Sequence, residues 1–254
     1  MKSKKILACN WKMNPSNQKN LSKLIEAYTQ IDTNNCDFIV FPPALYLSRF
    51  IPPLNFFFGI QDVSIAESGA YTSQISAQMA ANIGCKYTII GHSETRAYLG
   101  VTDELVSEKV SRVLEADLTP IVCVGYSQNK AESNINYDEL ESQISTYVDV
   151  LNRKELMIPK QVIIAYEPVW AIGTGKVASN EIITEVVDFI KNYLEQNLQT
   201  GVEKDVKVLY GGSVKADNIQ ELNKIKNLDG YLVGGASLRP QELQVMFESF
   251  NSLN

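Results

Sequence analysis

Short apolar runs alternate with longer amphipathic stretches along the whole chain, and this rhythm limits the fold more than any other feature. The runs are Ile6-Leu7-Ala8-Cys9, Phe38-Ile39-Val40-Phe41, Phe57-Phe58-Gly59-Ile60, Tyr87-Thr88-Ile89-Ile90, Pro120-Ile121-Val122-Cys123-Val124, Val162-Ile163-Ile164, Val206-Lys207-Val208-Leu209-Tyr210 and Gly230-Tyr231-Leu232-Val233. Each is too short for a helix and rich in β-branched or aromatic residues, as a buried strand is. Helical periodicity follows at about residues 16–31, 74–83, 102–116, 137–156, 180–198, 216–225 and 240–250, with a short helix ending near 50. Strand–helix alternation implies a parallel sheet covered by helices. Eight such units of roughly 30 residues, with no linker between them, point to a closed (β/α)8 TIM barrel forming one domain over residues 1–254. An open doubly wound sheet is the alternative. In a closed barrel, residues far apart in sequence meet where the strands end.

Composition narrows the function. A net charge of −6 argues against nucleic acid as a partner, and an anionic substrate then needs a local positive patch. No apolar run approaches the roughly 20 residues that cross a bilayer, so no membrane role is expected. The apolar run after Met1-Lys2-Ser3-Lys4-Lys5 is too short for a secretory signal. The four cysteines, Cys9, Cys36, Cys85 and Cys123, lack paired spacing and lie in or beside apolar runs, as free thiols in a reducing cytoplasm do.

The sixth run leads into Ala165-Tyr166-Glu167-Pro168-Val169-Trp170-Ala171-Ile172-Gly173-Thr174-Gly175-Lys176. Glu167 stands at the strand end, where a buried carboxylate is costly without a partner or substrate. Pro168 stops the ladder because it has no N–H. An apolar tip and a glycine heel follow in a connection about twice the usual length, the form of a lid. The Gly-Thr-Gly-Lys is not a nucleotide P-loop, since Trp170 stands where the first glycine belongs and Val177 replaces the Ser or Thr.

Other strand ends carry Asn10 and Lys12, His92 with Glu94, Gly211-Gly212-Ser213 and Gly234-Gly235. Singly, Lys12 reads equally as a surface lysine, His92 as a structural histidine and the glycine pairs as turns. Together they fit proton transfer beside a carbonyl: a carboxylate base, with preorganised donors for the oxygen that gains charge. His92, the only histidine, precedes a stretch able to start a helical turn, whose N-terminus disfavours imidazolium. Backbone amides at Gly173, Ser213, Gly234 and Gly235 could wrap a phosphate, in the loops where such barrels commonly seat one.

These motifs, with Asn10-Trp11-Lys12-Met13-Asn14, Gly91-His92-Ser93-Glu94 and Val233-Gly234-Gly235-Ala236-Ser237, resemble the triosephosphate isomerase family over nearly the whole chain. The resemblance implies interconversion of dihydroxyacetone phosphate and glyceraldehyde 3-phosphate without metal or organic cofactor. Glu167 would be the base, with His92, Lys12, Asn10 and Glu94 as further catalytic residues. Asn10, Lys12, Gly173, Ser213, Gly234 and Gly235 would bind substrate. Residues from Pro168 to Ala178 would close as the lid for which this family is known. It also implies a homodimer through the loop from Glu67 to Met79, with Thr72 of one subunit reaching toward Asn10 and Lys12 of the other.

Three positions depart from the family pattern. Tyr126 replaces the glutamate that follows Cys-x-Gly and receives the lid tryptophan's N–H, so Trp170 is expected to meet a tyrosine hydroxyl or nothing. Ser73-Gln74 replaces Gly-Glu, and Thr95 replaces an arginine; in the family that glutamate and arginine meet across the dimer interface. Losing both is coherent, because losing one strands a charge. The competing readings are another phosphate-binding barrel enzyme, which would lack the combination of Glu167, His92 and Lys12, and a non-catalytic barrel, which would be expected to lose one of them.

Overall fold

The computed structural model describes residues 4–50, 54–126, 135–153, 161–171, 177–199 and 205–251. Gly173 and the rest of 172–176 lie outside the described residues. The strands are β1 (Lys5–Asn10), β2 (Cys36–Phe41), β3 (Phe57–Ile60), β4 (Tyr87–Ile90), β5 (Thr119–Val124), β6 (Val162–Tyr166), β7 (Val206–Tyr210) and β8 (Gly230–Val233). They pair in chain order into a closed barrel, all parallel, with β8 returning to β1 so that Ile6 faces Gly230. Closure excludes the open sheet.

Alternation along the strands builds two apolar layers. Ile6, Ala8, Ile39, Phe41, Ile89, Ile121, Cys123, Ile163, Ala165, Leu209 and Leu232 point inward and fill the barrel. Their neighbours, such as Leu7, Cys9, Val40, Val122, Ile164 and Val208, point outward to the helices. Because both faces are buried, the strands read as continuous apolar runs.

The helices are α1 (Gln18–Thr29), α2 (Ala77–Asn82), α3 (Ser93–Leu99), α4 (Asp103–Glu115), α5 (Tyr137–Leu151), α6 (Asn180–Asn197), α7 (Ile219–Leu222) and α8 (Pro240–Asn251). Side-chain caps set several starts: Asn17, Ser76, Thr102, Asn136 and Ser179 each accept a first-turn N–H. Some elements differ from the sequence expectation. The segment after β2 is a 3-10 helix, Ala44–Arg49, that starts directly behind Pro43. Capping by Ser76 starts α2 later than residue 74. α7 is one turn, because Asn218 bonds the Lys215 N–H and the Ser213 carbonyl in a turn before it. β6 runs two residues further than its apolar run, and α3 is a full helix ended by left-handed Gly100.

Candidate active site

The strand C-termini open onto a cleft of about 320 Å³ that brings together Asn10, Lys12, His92, Glu167, Ser213, Gly234 and Gly235. Of the expected site residues, Gly173 lies outside the described residues and Glu94 reaches the cleft through Lys12.

Lys12 sits just past β1 with φ 52, in the left-handed region that a lysine rarely adopts. Its neighbours hold it there. The Asn10 side chain accepts the Lys12 N–H at 2.9 Å, and Gln61 donates to the Lys12 carbonyl at 2.9 Å. Between them Trp11 is fully buried and donates its indole N–H to Tyr28, which in turn donates to the Ser237 carbonyl. The ammonium, thus aimed, lies 2.7 Å from Glu94 Oε1.

His92 lies two residues past β4 and caps α3. Its Nδ1 accepts the Glu94 N–H at 3.1 Å, so the neutral ring carries its proton on Nε2. That nitrogen lies 3.1 Å from Glu167 Oε1. The ring, 6% exposed, is thereby presented to the cleft as a donor.

Glu167 is 3% exposed. Its N–H donates to the Val124 carbonyl at 2.8 Å, which extends the β5–β6 ladder by one residue past the strand. Oε2 accepts the Ser93 N–H, at the start of α3, at 2.9 Å. Two glycines leave room for the residue: a Cβ on Gly125 would lie 1.8 Å from the Glu167 carbonyl oxygen, and one on Gly211 would lie 3.0 Å from its Cγ. Inside the barrel, burial and the adjacent carboxylate push the Cys123 thiol well above its ordinary range.

Ser213 follows β7, and Gly234 and Gly235 follow β8, and all three line the cleft with Glu167. Lys215 and Arg239 line the cleft as well. Neither was expected from the sequence, nor was Ser93 as the anchor of Glu167. Position after a glycine pair is the only sequence signal for the two cations. Ser93 acts through its backbone and leaves no signal in its side chain.

The departures also find their places. Tyr126 is buried, and its hydroxyl accepts from Tyr166 at 3.4 Å. Trp170 lies in the 3-10 turn Val169–Ala171 and packs against the outer apolar layer. Further along the chain, the Ala178 N–H donates to the Tyr210 hydroxyl at 3.3 Å. Gln74 accepts from Ser64, and Thr95 donates to the His92 carbonyl at 2.8 Å, so no charge is stranded at either position.

The family model for triosephosphate isomerase matches residues 5–250. The chain is 38% identical over 253 residues to the triosephosphate isomerase of Francisella tularensis subsp. mediasiatica (strain FSC147), covering 98% of each chain. It is 41% identical over 240 residues to that of Herminiimonas arsenicoxydans, covering 93% of this chain and 95% of the other. With that of Alkaliphilus oremlandii (strain OhILAs) it shares 38% identity over 242 residues, 94% of this chain and 96% of the relative. A closed parallel barrel, a cleft holding carboxylate, imidazole and ammonium, and near full-length similarity agree: the chain belongs to the triosephosphate isomerase family.

Proposed function

We propose that this chain interconverts dihydroxyacetone phosphate and D-glyceraldehyde 3-phosphate through an enediolate, as a step of glycolysis and gluconeogenesis. The observation that carries the reading is the meeting of Glu167, His92 Nε2 and the Lys12 ammonium at one cleft beside the amides of Gly234 and Gly235. Glu167 takes a proton from one carbon of the substrate and returns it to the adjacent carbon. Meanwhile the oxygens exchange a proton, so aldose and ketose interconvert without net oxidation. The His92 N–H and the Lys12 ammonium stabilise the oxygen on which charge develops. Asn10 holds the strained Lys12 turn, and Glu94 orients both donors, bonding Lys12 through its carboxylate and His92 through its N–H.

The phosphate would rest on the backbone amides of Gly173, Ser213, Gly234 and Gly235. This answers the charge problem, since dipoles plus Lys12 can hold a dianion in a protein of net charge −6. Glu167 must release the Ser93 N–H to reach substrate. Closure of the segment from Pro168 to Ala178, a motion for which this family is known, would exclude water meanwhile.

The same reading includes a homodimer and a cytoplasmic setting. Large apolar side chains stand exposed on the connections after β1, β3 and β4, with Met13 at 92% and Tyr98 at 82%, joined by Tyr71, Met79 and Leu99. A second copy docking through the loop from Glu67 to Met79 would cover them and bring the exposed Thr72 toward the partner's cleft. Four buried free thiols suit a reducing compartment, and no described helix is long and apolar enough to cross a membrane.

The test is a coupled assay with glyceraldehyde 3-phosphate on the natural chain and on Glu167→Gln. Loss of the base should lower kcat by roughly 10³-fold. Equal turnover in the two proteins would defeat the assignment.

A further inference from the structure

One buried polar side chain near the cleft has no part in the mechanism above. Gln143 lies on the inner face of α5, among the buried residues Leu140, Ile144 and Tyr147, and is 7% exposed. An amide on an apolar stripe costs stability unless both of its ends are bonded. Here both ends go to a single residue of another element. Gln143 Oε1 accepts the Gly125 N–H at 2.8 Å, and its Nε2 donates to the Gly125 carbonyl at 2.9 Å. Only one orientation of the amide satisfies both bonds.

Gly125 is the first residue beyond β5, where the ladder ends and its peptide groups would otherwise be free to turn. The main chain of Glu167 rests directly on this residue. The Glu167 N–H is bonded to the Val124 carbonyl at 2.8 Å, and a Cβ on Gly125 would lie 1.8 Å from the Glu167 carbonyl oxygen. Gln143 and Glu167 also line the same cavity of about 230 Å³ behind the carboxylate, together with Ser93 and Cys123. The side chain that holds Gly125 therefore also holds the backbone from which Glu167 swings.

We propose that Gln143 is a positioning residue for the isomerisation: by clamping both peptide groups of Gly125 it fixes the height and pivot of Glu167 over the substrate. This rests on the reading of Glu167 as the base. Gln143 touches neither substrate nor the carboxylate, so its effect belongs in kcat and not in KM. A displacement of the base by a fraction of an ångström to one ångström costs up to roughly 100-fold in rate.

The experiment compares Gln143→Glu and Gln143→Met by steady-state kinetics across pH, with thermal unfolding of each. The carboxyl introduced by Gln143→Glu can still accept the Gly125 N–H. When ionised it sets an oxygen against the Gly125 carbonyl, and when protonated it supplies a donor again. Burial raises the pKa of such a carboxyl, so the ratio of variant to natural kcat should rise as pH falls from about 8 to about 6. Gln143→Met should lose roughly 10- to 100-fold in kcat at every pH, with KM within about twofold. Combined with Glu167→Asp, which withdraws the carboxylate by one methylene, the losses should fall short of multiplying, because both act on the position of one group.

A kcat within about twofold of the natural chain in both folded variants would overturn the proposal, since a positioning role predicts a far larger loss. So would a loss confined to KM, a flat ratio with pH for Gln143→Glu, or fully multiplicative losses in the double variant. Natural turnover in Glu167→Gln, measured with Gln143 intact, would instead sink the reading of the base, which keeps the two failures apart.

Discussion

Lys109 shows how a charge inside the outer layer is held. It lies on the inner face of α4, 8% exposed, with its ammonium 2.6 Å from Asp62 Oδ2. Burial pushes the Asp62 carboxyl above its ordinary range, and Lys109 opposes the shift without cancelling it. A raised carboxyl pKa means that the fold binds a proton more tightly than the unfolded chain. The associated stability is present at low pH and is lost as pH rises through the folded value. Lys109→Met leaves a half-buried carboxylate without its cation and should cost roughly 1–3 kcal/mol at neutral pH. Denaturant unfolding at several pH values checks the sign: the loss should shrink as the carboxyl protonates, and a loss that grows on acidification would contradict it. The thiols give a second prediction at this scale. Burial pushes Cys9 and Cys85 up to about 12, and raises Cys36 and Cys123 as well. A disulfide reagent at pH 8 should find almost no reactive thiol in the folded chain and four after denaturation. Fast labelling of Cys123 in the native protein would contradict the burial that places it behind Glu167.

At the scale of elements, most of the site is made by the ends of strands meeting the start of α3. His92, Ser93 and Glu94 all belong to that start: one caps it, one offers its N–H to Glu167, and one accepts from Lys12 while donating its N–H to His92. The segment after β6 is the other element with consequences. Its first turn packs Trp170 against the outer layer, to which the stacked rings of Tyr126 and Tyr166, 6.2 Å apart between centroids, also belong. A phenol at position 126 is a weaker acceptor than the carboxylate usual in the family. Tyr126→Glu should therefore change the rates of lid movement while leaving the chemical step intact. A charge-assisted bond to the lid would slow reopening by roughly tenfold. Fluorescence relaxation of Trp170 with a substrate analogue measures this, using Trp170→Phe to subtract the signal of buried Trp11. Unchanged closing and release rates would count against a role for position 126.

At the scale of the molecule, the barrel has a working end and a supporting end. Ion pairs near the strand N-termini, Lys207 with Asp205 at 2.6 Å and Lys191 with Asp229 at 2.7 Å, belong to the end away from the cleft. At the working end, the exposed Met13, Tyr71, Met79, Tyr98 and Leu99 ask for cover. Gln74 and Thr95 are satisfied within their own chain, so a homodimer built here would lack the family's glutamate–arginine pair without holding a stranded charge. A homodimer at micromolar concentration is the expected result of sedimentation, with Met13→Asp shifting it toward monomer. A fully active monomer in the natural chain would overturn it.

The alternation of apolar runs determined the number of strands and their parallel sense, because strands buried on both faces must be apolar throughout, whereas closure over an open sheet was decided by the pairing of β8 with β1. Residue chemistry at the strand ends likewise marked Glu167, His92 and Lys12. What the sequence left open was settled by contacts between distant residues. The short α7, the delayed start of α2 and the two extra residues of β6 follow from side-chain caps and ladder partners that periodicity does not encode. The anchoring of Glu167 by the Ser93 N–H, the left-handed turn at Lys12 and the clamp of Gln143 on Gly125 are backbone interactions between separate elements. A backbone group has the same chemistry at every residue except proline, so only the closed tertiary structure could decide which of them would carry the site.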